Sequence, residues 1–434
     1  MMGAFTLALV MWGLASYAVG VAIDRGRGRA VMAGGSALAA LGFAMWSRVD
    51  SLPLLYATWA VLGTAMAMTL YEPAFAILTR RYPQRYMRGI STLTLVGGFA
   101  STLAFPATVW LIDGLGWRGA LLFIAGLMLF VVTPLHAWAL RGPSAPPAPP
   151  TSAEAPPAHT TLDAALRGRS FWLLTAAFTC YYFAAAALWV HLMPMLAAKG
   201  LTEAQALSVV VWFGPAQVFG RLLHARFGLR LSPRALALAM LALLPLALAL
   251  FALVDHRAGL LLFALLFGFV NGLITIARGG VVPEFFGRAQ VGRISGAMSS
   301  ITLVVRSTAP LATAWLLLVL PGYRELTLAL AGVGIAAWAW IVWARRAGGS
   351  GGQNRCDLWP FESACRHAPG HRRPSHRRHP PRRPRPALAR ADGRAQPHAA
   401  LALRLRRPPR RRPARVRIAR TAAPALAGRP HRLV

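Results

Sequence analysis

Four ionisable residues, Glu72, His191, Arg278 and Arg306, stand inside long apolar stretches of the sequence. In lipid such a side chain costs roughly 2.5–3.5 kcal/mol at the bilayer centre, which makes it a candidate for function. Arg306 lies midway along the apolar stretch 294–319 and reaches neither surface easily. It reads as a contact to an anionic solute or coupling ion, with bonding to carbonyls near Pro310 as the structural alternative. Glu72 falls about 9 Å from the centre of its stretch, taking 1.5 Å per residue. Pro73 follows it and must loosen that turn. Proton coupling and an interhelical ion pair both suit Glu72. Arg278 stands nearer its stretch's end, where a snorkelling arginine competes with a coupling role. His191 neighbours Pro194 near an outer end and could carry protons near pH 6.5, although a structural role is favoured.

Other chemistries find no support. There is no GxxxxGK[ST] for a nucleotide and no Ser/His/Asp or His/Glu constellation. The three cysteines, Cys180, Cys356 and Cys365, have no metal-ligand spacing. The expectation is a protein that is not an enzyme and uses no cofactor or metal.

The elements carrying these residues follow from composition. The chain has 434 residues, 56% hydrophobic and 14% charged, with a mean hydropathy of +0.49; a soluble domain carries about a quarter charged residues. A membrane helix needs about 20 apolar residues. Eleven stretches meet that need, near 3–22, 30–47, 54–78, 89–111, 119–139, 170–195, 205–224, 236–254, 258–282, 294–319 and 326–344. The gaps alternate in charge. One set holds Arg25/Arg27/Arg29, Arg80/Arg81/Arg85/Arg88, Arg141, Arg226/Arg230/Arg234, Arg288/Arg293 and Arg345/Arg346, and is therefore cytoplasmic. The other holds one base each, Arg48, Arg118, Lys199, Arg257 and Arg324, with an acid close by. Residues 142–160, rich in Pro, Ala and Ser, read as a flexible cytoplasmic linker.

The two sides of that linker repeat. Gly63 matches Gly268, Arg88 matches Arg293, and Ala107–Leu111 matches Ala312–Leu316, all at an offset of 205; Gly20 and Gly28 match Gly220 and Gly228 at 200. The stretch 170–195 then has no partner in the first half, which has five stretches against six. The expectation is an absent first helix, most simply through a start placed too late, with a true eleven-span protein as the alternative.

Two helical halves in parallel repeat, and the loop Gly20-Val-Ala-Ile-Asp24-Arg25-Gly-Arg27-Gly28-Arg29, resemble the major facilitator superfamily. Gly20, Asp24, Arg25 and Arg29 match that family's loop, whereas Arg27 stands where it usually has glycine. The resemblance implies close helix approach at Gly20 and a charge contact between the halves at Asp24, made in one conformation only. The second-half copy, Gly220-Arg221-Leu-Leu-His224, has His for Asp and is degenerate. Trp59 replaces the arginine of drug–proton antiporters, and 97–106 lacks their glycine-rich motif. Tyr71-Glu72-Pro73 and Gly116-Trp117-Arg118 look more like the monocarboxylate and oxalate–formate porters.

The reading is an all-α membrane protein of major-facilitator type, with 11 spans visible. Its parts are a five-span half at 1–140, a linker at 141–169, a six-span half at 170–346 and an Arg/Pro-rich tail at 347–434. The tail holds 22 of the 47 basic residues from residue 350 on. Lipid or nucleic-acid binding, simple solubilisation and out-of-frame translation compete for it; the last fits its composition best, so the tail is given no function and no specific nucleic-acid partner. The expected activity is secondary transport of a small organic solute, a carboxylate anion, with H+ as a coupling ion. Drug or metabolite efflux, and a non-transporting sensor or truncated product, are the alternatives. A monomer in a bacterial inner membrane is expected, since a single lysine among the basic residues suggests a GC-rich genome.

Overall fold

The computed structural model describes residues 2–142, 160–228 and 231–348, which lie in one compact unit. Its elements are helical, with no strand among the described residues. The first half holds α1 (Met2–Asp24), α2 (Gly28–Trp46), α3 (Leu52–Thr69), α4 (Tyr71–Arg81), α5 (Tyr86–Gly98), α6 (Ala100–Leu127), a π-helical turn and α7 (Thr133–Ala139). The second holds α8 (Leu162–Arg167), α9 (Arg169–Ala198), α10 (Glu203–Val210), α11 (Phe213–Phe227), α12 (Pro233–Leu253), α13 (Arg257–Phe286), α14 (Val291–Ser307), α15 (Ala309–Leu316) and α16 (Tyr323–Gly348). The tail and most of the linker lie outside the described residues.

Among the described residues nine stretches are long and apolar enough to cross a membrane, against the eleven expected. The two that fall short are interrupted helices. One is α5, which stops at Phe99; the other is α14 with α15, which breaks at Thr308. Within α6 the chain turns at Gly116, whose φ of 67° favours a residue without Cβ.

Proline explains two breaks that matter for function. A proline ring inside a helix clashes with the carbonyl four residues earlier. Pro73 stands four residues after Thr69, where α3 ends, and Leu70 is extended. Pro310 stands four residues after Arg306, and α14 ends one residue beyond. The repeat partner of α3–α4 is α13, which has Arg278 where α4 has Pro73 and continues unbroken.

The repeat is visible in packing. A Cβ built at Gly63 would collide with the Ala8 backbone where α3 crosses α1, and one at Gly268 with Phe213 and Ala216 where α13 crosses α11. The six largest buried side chains, Tyr181, Phe171, Phe178, Phe251, Phe263 and Phe267, all belong to the second half. There α9 packs on α14, α15 and α16. Among the described residues no helix takes the equivalent place in the first half. The apolar window within Pro106–Ala139 is 11% buried, against 56% within α9. Outside, Lys199 joins two loops by donating to Asp255 Oδ1 (2.6 Å) and the Val254 carbonyl (3.0 Å). Lys199 holds the exposed Asp255 carboxyl below its usual range.

Filling the α1–α3 crossing should cost about 1–3 kcal/mol by overpacking. Gly63→Leu is expected to lower the Tm of the detergent-solubilised chain by several degrees. Gly126→Ala, with no neighbour within 4 Å, should leave it unchanged. Equal melting of the two variants would contradict this packing.

Candidate solute cavity and gate

A cavity of about 270 Å³ lies between the halves. The breaks at Leu70 and Thr308 supply its charges. Glu72 is in the first turn of α4, the positive end of that helix, and Arg306 is in the last turn of α14, the negative end of that one. Each charge thus meets the favourable end of a helix dipole. Arg278 comes from the unbroken α13. Its Nη1 lies 3.7 Å from Glu72 Oε1, and its Nη2 donates to Ser299 Oγ at 2.8 Å. The guanidinium therefore turns into the cavity rather than snorkelling to the surface.

Arg306 is held differently. It makes no hydrogen bond or ion pair with any described residue, and none with carbonyls near Pro310; its nearest described partner is the ring of Tyr182, 5.9 Å from Cζ. The same ring lies 5.0 Å from Arg278 Cζ. Two guanidiniums and one carboxylate thus share one cavity, an excess of one positive charge when Glu72 is ionised. His191 is elsewhere, its Nε2 2.9 Å from Thr313 Oγ1 on α15. It ties helices of the second half together and does not line the cavity.

Beyond the cavity the halves meet at Asp24, whose side chain is 4% exposed. The carboxylate accepts from the backbone N–H groups of Gly292 (3.0 Å) and Arg293 (2.8 Å), in the first turn of α14. It also accepts from Arg80 (3.3 Å), which reaches on to the Ala289 carbonyl (2.9 Å). The first half therefore supplies the N-terminal cap of a second-half helix, a charge-assisted contact. Small residues permit the approach. A Cβ at Gly20 would strike the Gly292 carbonyl, one at Gly296 would strike Ser16, and Ser300 Oγ donates to the Gly13 carbonyl at 2.6 Å. Of the expected switch residues, Gly20 and Asp24 make this contact. Arg25 and Arg29 are exposed and form no ion pair with a described residue.

The second-half copy makes the matching contact despite its divergence. On α11, His224 Nδ1 lies 3.2 Å from Ser91 Oγ on α5, and buried Arg221 donates to the carbonyls of Thr94 (3.0 Å) and Gly272 (3.2 Å). The loop pattern did not indicate Arg80, Gly292, Ser299 or Tyr182.

The major facilitator superfamily model matches residues 1–301. The chain belongs to the Major Facilitator Superfamily. It is similar to monocarboxylate transporter 13 of Rattus norvegicus, 30% identical over 61% of this chain and 60% of that one. It is also similar to monocarboxylate transporter 11 of Homo sapiens, 33% identical over 34% and 31%. The chain thus spans about three-fifths of the length of the first of these relatives and less of the second. In fold it is similar to the human organic anion transporter MFSD10, with a TM-score of 0.64, 17% identity, and 78% and 83% of the chains covered. The E. coli fucose:proton symporter FucP gives a TM-score of 0.63 at 14% identity, over 79% and 90%. The superfamily is one of membrane transporters, and among the described residues this chain has nine stretches that suit a multi-pass membrane protein.

Removing the cap should disturb alternation without disturbing insertion. Asp24→Asn keeps shape but loses the charge, and is expected to lower solute flux in proteoliposomes at least tenfold at equal membrane abundance. Wild-type flux in that variant would make Asp24 an ordinary loop acid.

Proposed function

We infer that this transporter moves a small organic anion, a carboxylate, by alternating exposure of the cavity between its two halves. One observation carries the reading: Arg306 lines the cavity, half-buried, and forms no ion pair with any described residue. A guanidinium stays protonated at any usable pH, and a carboxylate can meet it through two parallel N–H···O bonds. The relatives, named monocarboxylate transporters, and the structural neighbour, an organic anion transporter, agree with an anionic solute.

Glu72 is the coupling group in this reading. Its carboxylate faces Arg278 as an internal competitor of the solute, and a proton on Glu72 would release that arginine. Cotransport of H+ with the anion follows. The Asp24 cap closes the cytoplasmic side in the state described, and its breakage lets the halves rock. The protein works as a monomer, and the scarcity of lysine supports a bacterial inner membrane as its location.

Arg306→Lys is expected to weaken uptake of labelled small carboxylates, because one ammonium replaces a fork. Arg306→Ala should abolish it, with membrane abundance unchanged in both. Normal transport by Arg306→Ala, or a protein that moves only cations or neutral drugs, would defeat the anion assignment.

A further inference from the structure

The cavity holds more apolar wall than a small acid can use. Arg278 and Arg306 flank the Tyr182 ring, and Glu72, Ser299 and four further serines and threonines add polar groups, whereas Trp12, Tyr71, Phe75, Met298 and Leu303 form much of the remaining wall. Phe75 is 7% exposed, and its ring centroid lies 5.4 Å from that of Tyr71. Across the halves it lies over Gly279, where an added Cβ would come within 2.7 Å of the ring. That glycine lets an aromatic floor extend beneath both halves.

Size points the same way. A three-carbon acid has about six heavy atoms and displaces no more than roughly 180 Å³, at the 30 Å³ or so that a water takes in the liquid. The cavity's volume of about 270 Å³ would keep water against the rings around such a solute. Ligand sites commonly combine an apolar wall with a few placed polar groups, and the apolar wall then takes the body of the ligand. Apolar area removed from water favours the solute that covers it.

We propose that the solute is a bulky amphipathic monocarboxylate, with its carboxylate on Arg306 and an aryl or branched apolar body against Trp12, Tyr71, Phe75, Met298 and Leu303. This rests on the anion reading above and specifies it. The net charge of the cavity, two guanidiniums less one carboxylate, matches one negative charge on the solute. The aromatic wall sets the preference among acids of that charge.

The test compares propionate, 3-phenylpropionate and neutral 3-phenylpropanamide as ligands of the purified full chain, through the concentration of each that half-saturates a rise in Tm. The phenyl acid is expected to act at a concentration at least tenfold below propionate, and the amide to give no rise. Phe75→Ala and Trp12→Ala should each reduce the preference, the ratio of the propionate to the phenyl-acid half-saturating concentration, from tenfold to below threefold. Phe75→Leu, which keeps apolar volume if the alanine variant does not fold, should retain part of it. Propionate binding as well as the phenyl acid would overturn the bulky-solute proposal and leave the carboxylate reading standing. An amide as effective as the acid, or no response to either acid, would remove the anion reading and this proposal with it.

Discussion

A charge inside a membrane must be stabilised by something other than bulk water, and in this transporter that constraint is met by breaking helices. The low dielectric that makes an unpaired ion costly also strengthens its interaction with a nearby dipole. Pro73 interrupts one span and leaves Glu72 at a helix N-terminus; Pro310 interrupts another and leaves Arg306 at a helix C-terminus. Both prolines forfeit helical hydrogen bonds, and both breaks open toward a shared cavity. Discontinuous helices whose ends face a solute are a recurrent device of transporters. Here the two ends have opposite sign, and the unbroken α13 adds Arg278 between them.

The gate obeys the same electrostatics at the membrane edge. Asp24 satisfies two backbone donors that begin α14, so closing the halves completes a helix that would otherwise start with unpaired N–H groups. The contact needs backbone-to-backbone approach, which the glycines at 20, 292 and 296 supply. Its pseudo-symmetric counterpart uses a histidine–serine pair and a buried arginine instead. The two legs therefore differ in chemistry while sharing geometry. Only the Asp24 leg carries a full negative charge against a helix N-terminus.

Much of the architecture was legible in the sequence because lipid enforces it. Long apolar stretches, alternating loop charge and the 205-residue offset led to the helical halves and the superfamily, and Gly63 and Gly268 do mark close crossings. The count of eleven was less secure, since the breaks at Phe99 and Thr308 divide two stretches into helices too short to cross alone. Glu72, Arg278 and Arg306 were recognisable individually as charges in apolar surroundings. Their convergence was not, because it depends on how α4, α13 and α14 rotate about their axes. Ser299 and Tyr182 carry no sequence signal for the same reason: serine and tyrosine are ordinary in a span until their neighbours are known. The Asp24 cap was anticipated as a charge contact between the halves, yet its cross-half partners are backbone N–H donors. No side-chain pattern reports those.

Glu72 faces Arg278 inside the cavity that the solute carboxylate would enter, so the two negative charges compete there. The most direct measurement is equilibrium binding of a labelled monocarboxylate to the purified chain, in wild type and in Glu72→Gln. Glu72→Gln, with the competing charge removed and Arg278 released, should bind about tenfold more tightly than wild type at pH 7.5, a difference of about 1.4 kcal/mol. Binding in Glu72→Gln that is unchanged or weaker would contradict that competition.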